Sequence, residues 1–129
     1  MPLPVQPRAT GALVFQGDES FARENPAMIK VSVLYPQQTG KKFNMDYYLK
    51  THMPLVRKTF GSLLKGASVE RGVSGGAPGT PPVYSVMTHL SFDSMDATTK
   101  AMGQVAPLMA DIPNFTDIQP AVQIGEVVG

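Results

Sequence analysis

What most narrows the folds open to this chain is the way its hydrophobic period switches between two and about 3.6. Ile29-Lys-Val-Ser-Val-Leu-Tyr35 alternates apolar and polar residues with β-branched side chains, which predicts a half-buried strand. From Met45 the apolar positions recur every three or four residues, through Tyr48, Leu49, His52, Leu55, Val56, Thr59 and Phe60. That spacing predicts a helix with one inward side and Asn44 as its N-cap. The period returns to two over residues 63–73 and again over 83–92, on either side of the loop Ser74-Gly-Gly-Ala-Pro-Gly-Thr-Pro81. Asp93 is then placed to cap a second helix with Met95, Met102, Val105 and Met109 on its apolar side, weakened at its end by Gly103 and Pro107. Residues 121–128 read as a last strand.

The order β-α-β-β-α-β predicts an α+β domain of the ferredoxin-like sandwich type, one antiparallel sheet with both helices on one face. The last strand is apolar in both registers, Val122, Ile124 and Val128 in one and Ala121 and Val127 in the other. The sheet face away from the helices is therefore expected to be covered too, and a second copy of the chain packed sheet to sheet would cover it.

Pro54 interrupts the first helix, because it has no N–H for the carbonyl of Lys50 and disfavours helical geometry at Met53. A kink, or a break and restart, is expected near His52. This histidine has two readings: a proton-transfer group facing a cavity, or a structural side chain bonded to carbonyls that Pro54 sets free.

The 129 residues suit one domain, taken as 28–129, behind an extension over 1–27 that holds three prolines in its first seven residues. That extension is expected either to be disordered or to pack on a partner. There is no cysteine, which removes disulfides and thiolate chemistry and fits a reducing cytoplasm. A net charge of +1 without a basic, aromatic-laced stripe gives no reason to expect nucleic acid. The basic group Lys41, Lys42, Lys50, Arg57, Lys58 and Lys65 reads as a solvated helix face. No apolar run approaches the roughly 20 residues of a membrane helix, and Ala12–Phe15 is too short for a signal peptide. No metal, flavin or haem is implied by any motif.

Met28-Ile-Lys-Val-Ser-Val-Leu-Tyr-Pro36, Phe43, Tyr47-Tyr-Leu-Lys-Thr-His-Met-Pro-Leu55, Phe92-Asp-Ser, and Phe115-Thr-Asp through Gln123-Ile-Gly-Glu126 together resemble the EthD family over residues 28–129. The resemblance implies a dimeric α+β barrel, two ferredoxin-like sheets packed face to face. It also implies a part in the oxidative degradation of a small apolar, oxygen-bearing compound. The chain would act there as a cofactor-free oxidoreductase or a proton-transferring lyase or isomerase, or as a non-catalytic ligand- or partner-binding module that supports a separate oxygenase. Fold alone does not choose among these.

On this view His52 moves the proton and Tyr48, one turn earlier on the same face, orients it or a substrate carbonyl. Tyr47, His89 and Met87 are the candidate ligand contacts, His89 if its strand face is the barrel side. Asp46 lies off the face of His52, so no His–Asp dyad is expected within this helix.

Overall fold

The computed structural model describes residues 28–129 together with two-residue strands at Ala9–Thr10 and Ala12–Leu13. The expectations for the extension lie otherwise outside the described residues. The chain divides into two compact units, Ile29–Gly125 and a second that joins Met28 to Glu126–Gly129. In the second unit the Val127 N–H donates to the Met28 carbonyl at 2.9 Å.

The strands are β1 (Ile29–Pro36), β2 (Leu64–Arg71), β3 (Tyr84–Phe92) and β4 (Ala121–Glu126), all within the larger unit except Glu126 at the end of β4. Their order across the sheet is β2-β3-β1-β4, and β3 runs antiparallel to both of its neighbours. This is the ferredoxin-like arrangement that the periodicity predicts. Alternation decides which residues each face of the sheet receives. Ile29, Val31, Tyr35, Val86, Thr88, Leu90 and Phe92 are buried beneath the helices, whereas Ser32, Met87 and His89 stand on the opposite, open face.

Helix α1 spans residues 45–60 in three continuous parts: an α-turn (Met45–Tyr47), a π-turn (Tyr48–His52) and an α-helix (Met53–Phe60). The Asn44 side chain accepts from the Tyr47 N–H at 3.0 Å and caps the start. The α-helix is interrupted before Pro54 and restarts at Met53, with Pro54 in the first turn of the new part, and Met53 keeps helical angles of −65° and −40°. The missing proline donor is absorbed by a wider turn, in which the Met53 N–H reaches back five residues to the Tyr48 carbonyl. One extra residue per turn changes which side chains face inward. Met53 is 1% exposed and Leu49 is 49% exposed, the reverse of what an uninterrupted 3.6 period predicts.

The second helical segment is two short helices, α2 (Met95–Met102) and α3 (Ala106–Asp111), followed by a 3₁₀ turn (Ile112–Asn114). Ser94, not Asp93, is the cap of α2: its hydroxyl accepts from the Ala97 N–H at 3.1 Å. Met95 and Met109 turn outward, and Thr98, Ala101 and Leu108 take the core. Edge-on aromatic packing, as between Phe60 and Phe92 at 5.6 Å, ties the helices to the sheet. Each large side chain fully buried there stabilises the fold by about 1.5–3 kcal/mol.

Candidate functional site

Two segments far apart in sequence build the site because their ends are stitched together. The loop before α1 pairs with the loop after α3: the Asn44 N–H donates to the Phe115 carbonyl at 2.7 Å and Lys42 N–H to the Asp117 carboxylate at 2.9 Å. The Thr116 hydroxyl donates to the Lys42 carbonyl. Phe115, thus fixed, packs against Tyr35, Phe43, Tyr48 and the ring of His52, the last at 4.6 Å. The same stitching sets the end of α3 against the first turns of α1.

As a result His52 meets a carboxylate that its own helix does not supply. Its Nδ1 lies 2.9 Å from Oδ2 of Asp111, with the two side chains only 6% and 12% exposed. The other oxygen of Asp111 accepts from the Tyr47 hydroxyl at 2.8 Å and from the Asn114 amide at 2.9 Å. Burial pushes the Asp111 carboxyl upward, but hydrogen bonds from Asn114, His52 and Tyr47 outweigh it and hold the group below its ordinary value. The acceptor bond to Asp111, with burial adding to it, keeps the Tyr47 phenol protonated above its usual range. In the neutral ring, Nδ1–H donating to an ionised Asp111 leaves Nε2 of His52 with the lone pair. Among the described residues no protein group hydrogen-bonds to Nε2. Among the described residues no carbonyl is hydrogen-bonded to the His52 side chain; its imidazole is bonded to Asp111.

His52 lines a cavity of about 210 Å³ between the helices and the sheet, large enough for a small organic molecule. Val31, Val33, Leu90 and Val122 form its sheet wall, and Met53, Val56, Val105 and Leu108 are among the helical residues over it. Among the described residues no charged side chain lines it, and its polar side chains are His52, Tyr48, Tyr35 and Thr88. The Tyr48 ring stacks on His52 with centroids 5.2 Å apart, and its hydroxyl is hydrogen-bonded to that of Thr88 across to β3. Burial raises the Tyr48 phenol above its ordinary value. Among the described residues no group of three histidine, aspartate or glutamate side chains could hold a metal ion, and no helix is long and apolar enough to cross a membrane.

Of the residues singled out from sequence, His52, Tyr48 and Tyr47 come together, Tyr47 through Asp111 and not through the cavity wall. His89 and Met87 do not join them. On the open face His89 Nδ1 is 2.9 Å from the Ser32 hydroxyl, and its Nε2 is 3.9 Å from a Glu70 carboxylate oxygen. The sheet separates that face from the cavity. The sequence reading of Asp46 is consistent with its place, an exposed ion pair to Lys50 at 2.9 Å.

With this geometry in view, the comparisons with known proteins are specific. The EthD domain model matches residues 36–119. The chain belongs to the EthD family. An EthD-like protein from Ralstonia eutropha JMP134 is 41% identical, with a TM-score of 0.75 over 80% of this chain and 94% of that one. An EthD-family protein from Bacillus halodurans C-125 is 22% identical, with a TM-score of 0.55 over 78% and 99%. A suggested monooxygenase from Shewanella loihica PV-4 shares the fold at 8% identity, with a TM-score of 0.53 over 80% and 96%. None of the curated proteins compared with the chain matches it.

Asp111 is the site residue that the sequence reading missed. Its one local signal is its position, since an anion at the C-terminal end of a helix opposes the helix dipole.

Proposed function

We propose that this EthD-family chain is a small enzyme that moves a proton on an apolar, oxygen-bearing compound held between helices and sheet, within the oxidative breakdown of that compound. The observation that carries this reading is the bond from His52, at the wall of a largely apolar cavity, to Asp111 behind it. A buried carboxylate on Nδ1 orients the ring and stabilises the imidazolium that forms when Nε2 takes a proton, which is the arrangement general-base catalysis needs. Tyr48 supports the ring from one side. His89 and Met87, on the open face, would meet a ligand only across an interface, and a second copy packed sheet to sheet is the partner this reading expects.

The test is turnover, or solvent deuterium uptake followed by mass spectrometry, of a panel of apolar ketones, phenols and ethers by the wild-type protein and by His52→Ala. Loss of about 100-fold or more is expected, the usual contribution of a positioned base. A fully active His52→Ala protein with unchanged melting would defeat the reading. A protein that turns over nothing yet retains an apolar ligand or an oxygenase partner would instead be a binding module.

A further inference from the structure

The hydroxyl groups of the cavity contain one more proton than the described protein can accept. Tyr35, Tyr48 and Thr88 are 1%, 2% and 2% exposed and all line the cavity. The Tyr48 and Thr88 hydroxyls are bonded to each other, and the Tyr35 hydroxyl neighbours that of Tyr48. Each hydroxyl brings one proton, so the bonded Tyr48–Thr88 pair uses one and leaves the other to donate. Among the described residues no carbonyl, carboxylate or amide oxygen accepts from any of them. A buried donor without an acceptor is costly and rare in folded proteins, and it is expected where a ligand supplies the missing oxygen. On the same wall, His52 Nε2 is an acceptor with no donor among the described residues. Among the described residues no lysine or arginine lines the cavity to neutralise an anion, and Asp111 already places a negative charge behind the imidazole.

We infer that the ligand is an uncharged enolisable carbonyl compound, whose oxygen accepts the spare proton of the Tyr48–Thr88 hydroxyl pair while its α-carbon faces Nε2 of His52. This rests on the reading of His52 as a base and adds to it the class of substrate and the group that holds the oxygen. In the step implied, the α-carbon–hydrogen bond breaks and the proton passes to Nε2. The electron pair left on carbon forms the carbon–carbon double bond, and the carbonyl oxygen becomes an enolate that accepts from the hydroxyl pair. His52 then returns a proton. In heavy water the imidazole exchanges with solvent and returns deuterium, so enolisation is visible without knowledge of the later chemistry.

The full chain is tested with three probes of similar shape: β-tetralone, a neutral enolisable ketone; tetralin, which lacks the oxygen; and β-naphthoate, an anion. Binding is followed by calorimetry and deuterium uptake by mass spectrometry. The ketone is expected to bind at least about tenfold more tightly than either other probe, roughly the value of one buried hydrogen bond, and to acquire deuterium at its α-carbons. The doubly substituted Tyr48→Phe, Thr88→Val protein removes both hydroxyls while keeping their shapes, so its melting temperature should change little. It should lose that preference over tetralin and most of the deuterium uptake. Equal binding of ketone and tetralin by the wild type, tighter binding of the naphthoate, or an unaltered preference in the double variant would each overturn the inference. If the double variant melts early, Thr88→Val alone takes its place, and an unaltered ketone preference there overturns the inference as well. Uptake that survives His52→Ala would instead overturn the assignment of the base, so the two failures are distinguishable.

Discussion

The two histidines of this chain sit on opposite faces of one sheet, and they show how much surroundings decide what an imidazole can do. His52 has a carboxylate at hydrogen-bond distance from Nδ1, the rings of Tyr48 and Phe115 packed against it and a largely apolar cavity beside it. His89 shares Nδ1 with a serine hydroxyl, and its nearest carboxylate, 55% exposed, is 3.9 Å away. Solvent screens the second pair, so it contributes little, whereas the first is held in a setting where charge and orientation count. The sequence reading makes His52 the proton-transfer candidate and His89 a ligand contact if its strand face is the barrel side; in the structure only His52 faces the space under the helices.

The sharpest way to break this contrast is to exchange each histidine for alanine and follow deuterium uptake by β-tetralone. His52→Ala should lose about 100-fold or more, while His89→Ala should stay within about twofold. Equal losses would mean that the open face, brought to a partner, supplies part of the chemistry. Next in size is Asp111→Asn, expected to lower the rate about tenfold or more by releasing the tautomer. It also has a signature in stability. The depressed carboxyl contributes stability that is fully present above its unfolded pKa, near 3.9, and is lost as pH falls through the lower folded value. Denaturant melts should therefore show wild type above Asp111→Asn at pH 7 and the gap closing below about pH 4. A gap that persists in acid would mean that Asp111 acts by packing.

Tyr47→Phe removes one donor from Asp111 and keeps the ring, so a loss of about threefold, without a change in ketone binding, is expected. A KM effect without a kcat effect would place Tyr47 in the ligand's path instead. Smallest of all, Glu70→Gln should leave rate and melting unchanged within error, since an exposed pair at that distance contributes about 0–1 kcal/mol at most. A measurable loss there would show that this face is buried in the working assembly.

How much of this was legible in the sequence depends on the range of the interaction. Asn44 as a cap, the alternation of β1 and β3, and the inward side of His52 are local consequences of period and side-chain type, and the structure has them. The exchange of Leu49 for Met53 at the core was not legible, because a period of 3.6 presumes that every N–H reaches back four residues. Ser94 and Asp93 are both good caps one position apart, and only the backbone turn chooses between them. Asp111 is 59 positions from His52, and nothing local marks the two as partners except the poor fit of an acid to a helix C-terminus. The strands predict the sheet; they do not say which loops are sewn together at its end, and that seam makes the site.

The wide turn at Tyr48–His52 has one more consequence. It amounts to a one-residue insertion kept inside an otherwise ordinary helix. Deleting Thr51 or Lys50, both exposed, would let the amide now at Met53 bond four residues back and would give a more regular helix. His52 would then stand three residues from Tyr48 instead of four, and its ring would be turned relative to Tyr48 and to Asp111. The extra residue therefore helps to set the direction in which the imidazole meets Asp111.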